Sequence, residues 1–354
     1  MNSTLHTRFY TPEDRSALED LYRAIYGEAW RDHTRFEWYI DRPLVEAGSS
    51  LAVIGDKIVA AQPFCDLPLH TPWGVERATL FLDVATHPAH RRQGLFRRVV
   101  AAARTAAFAR GACLAMTTPN RTAFQGFQRM PEWGRLCTLD CLLVPLGAGT
   151  RPPGAGRLSL GARLGFAAAS VFWHGPRRRV LPAGPAPSTI VSPWVPGPEA
   201  DALWRSVAAG AGIMVQRDRT FLHWRFDAGC RLFLAQATHG PLGYAAARLI
   251  TRAGLKLGML LDCVTAGNRA NAAPLLAAVL AWLRAQGASA ALGYFVRDSA
   301  PWHQARAAGF VCLPGPLVPR DYPVCASVRP DDPHSAELLN PAHWYMSLAD
   351  SDLA

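Results

Sequence analysis

The residues best suited to chemistry lie in one run, Leu82-Asp83-Val84-Ala85-Thr86-His87-Pro88-Ala89-His90-Arg91-Arg92-Gln93-Gly94-Leu95-Phe96. It reads as an apolar strand, a short basic loop with one glycine, and a helix that continues to about Arg110. A helix that opens straight from a loop presents backbone N–H groups with no intrahelical acceptor, and these favour an anion. Arg91, Arg92, Arg97 and Arg98 add guanidinium forks that match phosphate oxygens. The predicted chemistry is the holding of a pyrophosphate. That implies a phosphate-bearing cofactor beside a strand end, and so an enzyme.

Arg91-x-x-Gly94-x-Phe96 resembles the Q/R-x-x-G-x-G/A acetyl-CoA loop of the GNAT N-acetyltransferase superfamily. Val84-Ala85-Thr86-His87-Pro88 looks like the family's splayed fourth strand and its exit. Arg8-Phe9-Tyr10-Thr11-Pro12-Glu13-Asp14 is similar to its first strand and helix entry, and Asn120-x-x-Ala123-x-x-x-Phe127 to its N-x-x-A-x-x-x-Y segment. Order and spacing match over residues 5–145. The resemblance implies direct transfer of acetyl from acetyl-CoA to an amine. It implies that the main chain of Val84, Ala85 and Thr86 lines the pantetheine arm. The N–H groups of Gln93, Gly94, Leu95 and Phe96 would hold the diphosphate, with Arg91, Arg92 and Arg97 around it. Two residues depart from the pattern. Phe96 replaces the loop's last small residue, and Phe127 stands where many members place a proton-donating tyrosine. A phenyl ring donates no proton.

An amine acceptor must lose a proton, and the departing thiolate must gain one. Asp83, one residue before the splay, is a base candidate or a buried carboxylate bonded to backbone. Asn120 either bonds the pantetheine or a relay water, or caps the helix that follows it. Tyr22 and Tyr26 share a helix face and offer hydroxyls, Tyr26 being the candidate acid, or they belong to the core. Glu28, Asp32 and Glu37 fall where the family's acceptor groove forms, and serve a cationic acceptor or face water. His87, before a proline, reads as structural, and His90 as an extra donor near phosphate.

The chain of 354 residues is half apolar, enough for two domain cores. Its apolar runs are too short to span a membrane, and Met1–His6 lacks signal-peptide features. The eight cysteines form no CxxC or ordered Cys/His pair, so reduced thiols, a cytoplasmic setting and no metal are expected. Of the net charge of +10, arginine supplies nearly all, since the only lysines are Lys57 and Lys256. Arginine-rich composition plus a CoA footprint accounts for it. No interleaving of aromatic and basic residues points to nucleic acid.

The elements that would position the loop occur twice. Phe36–Asp41 is echoed by Leu222–Asp227, the strand pair around Gly55-Asp56 by the pair around His239-Gly240, and Leu82-Asp83-Val84 by Leu261-Asp262-Cys263. A long Ala/Leu helix follows each, then Gly111 or Gly287 before an apolar strand. Similar order at similar spacing argues for duplication. The second copy has Ala266-Gly267-Asn268-Arg269-Ala270-Asn271 in place of the anion loop, and so reads as a degenerate half.

The expected fold is α/β (α+β), as two tandem GNAT-like domains, each a mixed, mostly antiparallel sheet flanked by helices. The expected division is 1–146 with the acetyl-CoA loop, 147–200 as a Pro/Gly/Arg-rich linker, 201–330 degenerate, and 331–354 as an acidic tail, either loosely attached or docked by Trp344 and Tyr345. Within the linker, Leu158–Trp173 reads as a packing helix. In the helix from Gly94, the face of Leu95, Val99, Ala102/Ala103 and Ala106 would cover the sheet, with Arg97, Arg98 and Arg104 outward. The function read from all this is an acetyl-CoA-dependent N-acetyltransferase, with a small-molecule or peptide amine as acceptor. The alternatives are transfer of a longer acyl or aminoacyl group, or a non-catalytic acyl-CoA-binding scaffold.

Overall fold

Strong strand formers flank the Gly55-Asp56 turn and build a hairpin there, with Gly55 at φ 59°. The structure, a computed structural model, describes residues 5–27, 36–147, 189–252, 254–267 and 269–351. Glu28, Asp32 and the Leu158–Trp173 segment lie outside the described residues. The chain divides into two compact units. One comprises Met1–Thr138, Ile213–Gln216 and Tyr322–His343, and the other Leu139–Gly212, Arg217–Asp321 and Trp344–Ala354.

With strands numbered along the chain, the first unit's sheet runs β1 (Leu5–Phe9), β2 (Ala47–Ile54), β3 (Lys57–Thr71), β4 (Gly74–Phe81), β6 (Ala112–Thr117) and β15 (Tyr322–Val328). Neighbours are antiparallel except β4 and β6. The short strands β5 (Ala85–Thr86) and β9 (Met214–Val215) also pair with β3. Helices α1 (Arg15–Tyr26), α2 (Leu95–Ala109) and α3 (Arg121–Phe127) complete the pattern read from the sequence. β3 is buried over most of its length. That explains its near-continuous apolar sequence in place of strict alternation.

Helix α2 buries Leu95, Val99, Val100, Ala103 and Ala107, a face close to the one the periodicity predicts. Arg97 and Arg98 are exposed as expected. Arg104 is not. Its Nε donates to Ser327 Oγ at 2.7 Å, because β15 arrives beside β6 from far along the chain.

The second unit repeats the plan. Its sheet runs β7 (Gly134–Pro145), β13 (Ala290–Phe295), β12 (Leu255–Thr265), β11 (Gly240–Arg252), β10 (Cys230–Ala237) and β8 (Thr189–Val191), with β14 (Val311–Cys312) also on β7. Its one parallel step, β12 to β13, matches that of β4 to β6. The helices are α4 (Pro198–Ala208), α5 (Arg219–Arg225), α6 (Ala272–Ala285) and α7 (Ala300–Ala307). The acidic C-terminal stretch is well packed, with Trp344, Met346, Leu348 and Ala349 buried.

Candidate active site

The loop before α2 is shaped by backbone that few residues adopt. His87 N donates to Val59 O at 2.8 Å, and the His87 ring Nδ1 accepts from Ala89 N, capping the turn Pro88–His90. Arg92 (φ 62°) and Gly94 (φ 74°) are left-handed, and α2 begins at Leu95. A left-handed arginine costs about 1–2 kcal/mol. It comes just before α2, whose first-turn N–H groups follow directly. Those groups have no acceptor within the helix. Arg91, Arg92, Gln93, Gly94 and Arg97 are all exposed around them. The arrangement is an exposed, arginine-lined cradle at a helix N-terminus, chemically suited to an anion.

Beside the cradle two strands part. β4 and β6 bond in parallel as far as Leu80 and Met116. After that, Leu82 N donates to Pro63 O at 3.0 Å, Asp83 adopts φ 37°, and Ala85 and Thr86 pair back onto β3. β6 continues along β15, with Thr117 opposite Cys325. Because Ala85 and His87 turn their backbone toward β3, Val84 and Thr86 present theirs to the gap. Buried polar side chains surround this bulge. Gln62 Nε2 donates to Leu82 O at 2.9 Å and to Pro63 O at 2.7 Å. Tyr22 OH donates to Asp83 O at 2.5 Å, and Tyr39 OH to Asp83 Oδ2 at 2.9 Å.

A family model described as an acetyltransferase (GNAT) domain matches residues 7–130, a span that holds both the cradle and the gap. The first unit carries a GNAT acetyltransferase domain. The domain type is that of acyl-CoA-dependent acyltransferases. Among solved structures, the chain is similar to a GCN5-related N-acetyltransferase from Kribbella flavida at 13% identity. That match covers 92% of this chain and 71% of that one, with a TM-score of 0.58. A tandem GNAT protein from the clavulanic acid biosynthesis pathway aligns at 17% identity over 93% of this chain and 100% of that one, with a TM-score of 0.56. The Saccharomyces cerevisiae N-myristoyltransferase with bound myristoyl-CoA aligns at 11% identity over 98% and 90%, with a TM-score of 0.58. At such identities the likeness is one of fold, and it spans both halves. No curated protein sequence matches the chain.

The other candidate residues of the GNAT domain are placed as follows. Asn120 Oδ1 accepts from Thr122 N and Ala123 N, so it caps α3. Tyr26 is 43% exposed and stacks on Tyr22, with ring centroids 6.2 Å apart. Phe127 is 1% exposed, its ring 5.2 Å from that of Phe96 and 4.7 Å from that of Trp133. Phe96 therefore points away from the cradle, onto α3. A Cβ on Gly126 would come within 2.8 Å of its ring, so the small residue at 126 accommodates the large one at 96. The two departures from the family motif thus form one packing unit, and α3 supplies no acid. Burial pushes the Cys113 and Cys325 thiols up to about 12, so both stay protonated at neutral pH. Gln62 and Tyr39 carried no sequence signal beyond a polar residue in an apolar strand and an aromatic run.

The second half keeps the parting of the strands but not the loop. β12 leaves β13 after Leu260 and has a register shift at Leu261, yet it stays paired with β11 to Thr265. Tyr345 OH donates to Asp262 Oδ1 at 2.5 Å and to Cys263 O at 3.0 Å. Ser347, Tyr244 and Arg217 also donate to the Asp262 carboxylate. Before α6, Asn271 Nδ2 donates to Ala266 O, tying the loop onto itself. Among the described residues no helix is long and apolar enough to cross a membrane.

Proposed function

We propose that the protein is a cytoplasmic N-acetyltransferase that binds one acetyl-CoA in its first half and passes the acetyl group directly to an amine. The observation that carries this reading is the left-handed Arg92-to-Gly94 loop opening α2 beside the parted strands. In the proposed complex, the N–H groups of Gln93, Gly94, Leu95 and Phe96 hold the diphosphate, with Arg91, Arg92 and Arg97 around it. Val84, Ala85 and Thr86 line the pantetheine arm. The amine nitrogen attacks the thioester carbonyl carbon, a C–N bond forms and the C–S bond breaks. The electron pair leaves with sulfur, and main-chain N–H groups at the splay stabilise the oxygen as it gains charge. Asp83 takes the proton from the amine. With Phe127 sealed in aromatic packing, the thiolate takes its proton from water or from Tyr26.

A non-catalytic acyl-CoA-binding protein is the second reading, and Phe127 is the observation behind it. Release of free thiol from acetyl-CoA, measured against a panel of small amines and peptides and repeated with myristoyl-CoA, separates the readings. Amine-dependent thiol release with acetyl-CoA is the expected result. Binding without release for any amine would favour the second reading, and release with myristoyl-CoA alone would move the acyl group to a longer chain.

A further inference from the structure

We propose that Gln62, Tyr22 and Tyr39 are positioning residues that hold the strand open for the pantetheine arm, a proposal that rests on the acyl-CoA reading above. Leu82 N bonds Pro63 O, so the Leu82 carbonyl also faces β3, where Pro63 has no N–H to give, and Asp83 lies beyond the end of the β4–β6 pairing. Buried carbonyls are paired in native structures, so something must supply a partner for each. Side chains from two separate elements do so, and a third holds the Asp83 side chain. Gln62 on β3 takes Leu82 O, Tyr22 on α1 takes Asp83 O, and Tyr39 in the π-helical turn Glu37–Asp41 takes the Asp83 carboxylate. All three residues are at most 1% exposed.

They also account for the backbone. Asp83 at φ 37° is in a region that non-glycine residues seldom occupy, and such strain persists only where its surroundings impose it. The tyrosine rings are locked through Phe36, which lies 5.1 Å from Tyr22 and 5.9 Å from Tyr39, edge to face with both. Gln62 is fixed by two bonds from Nε2, while its Oε1 is buried with no hydrogen-bond partner among the described residues. In the second half β12 also leaves β13, after Leu260, but it stays paired with β11 to Thr265, and the tyrosines there, Tyr244 and Tyr345, donate to the Asp262 carboxylate.

The test compares two ligands by calorimetry, CoA and adenosine 3′,5′-bisphosphate, which carries the nucleotide end without the pantetheine. The variants are Gln62→Met, Tyr22→Phe and Tyr39→Phe. Each keeps its side-chain volume, and the two phenylalanines keep the ring packing on Phe36. CoA affinity should fall about tenfold in Gln62→Met and Tyr22→Phe, as loss of one hydrogen bond to a positioned carbonyl implies. It should fall by less in Tyr39→Phe, and the bisphosphate should bind all three within twofold of wild type. Folded variants with unchanged CoA affinity, or with both ligands weakened alike, would overturn the proposal. Wild-type protein that binds neither ligand would overturn the acyl-CoA reading and this proposal with it.

Discussion

Asp83 and Asp262 stand at matching places, each on the strand that precedes a long helix and just past the point where that strand leaves its parallel neighbour, yet they are held differently. Asp83 interrupts its strand, is left-handed, and is held by two tyrosines beside a gap. Asp262 stays in a strand paired with β11 to Thr265, and its carboxylate accepts from Arg217, Tyr244, Tyr345 and Ser347. Arg217 in turn bonds Asp350 at 2.7 Å, so the acidic C-terminal stretch is fastened to the strand through buried charge. Burial alone would disfavour the Arg217 cation, but Asp350 and Asp262 hold its pKa well above the ordinary value. One copy of the repeated unit therefore turns its strand back at the aspartate, and the other fastens its aspartate through a buried ion pair.

The sharpest way to break that comparison is at the two loops. Gly94→Glu should lower CoA affinity at least a hundredfold, since it puts a carboxylate at the anion cradle. Gly267→Glu, at a glycine of similar φ, should leave CoA affinity unchanged. Calorimetry on both variants checks this, and the second controls for the strain of a side chain at positive φ.

Next in size are the aspartates. Asp262→Ala leaves Arg217 buried with one partner fewer and should destabilise the protein by about 3–5 kcal/mol in denaturant unfolding. Asp83→Asn should cost about 1 kcal/mol, because one hydrogen bond weakens. It should reduce turnover far more than it reduces CoA affinity. Equal stability losses would mean that both carboxylates are structural.

Phe127→Tyr tests whether the family acid can be restored. The added hydroxyl would enter the cluster of Phe96, Trp133 and Met130 without a partner, costing about 1–3 kcal/mol and giving no faster thiol release. Tyr345→Phe is the smallest change, a loss of about 1 kcal/mol with the number of CoA sites per chain unaltered.

How much of this was legible in the sequence follows from distance along the chain. The loop is built from consecutive residues, Arg91 to Arg97, and the helix it opens has a clear apolar period, so the loop-to-helix geometry was readable. So was the repeat, because each copy lays out its strands and helix in the same order. The supports of the splay were not. Tyr39 and Gln62 reach Asp83 and Leu82 across 44 and 20 positions, and only the folded sheet brings them together. Arg104 looked like a surface arginine because its partner Ser327 lies 223 residues away. Asn120 was read two ways, and the local geometry assigns its side-chain oxygen to the helix cap.

The central claim is that one half is open to acyl-CoA and the other closed. Calorimetric titration of the whole chain with acetyl-CoA tests it most directly, with stoichiometry as the quantity read. The account predicts one site per chain, abolished by Gly94→Glu. Two sites per chain, or one site that survives Gly94→Glu, would contradict it.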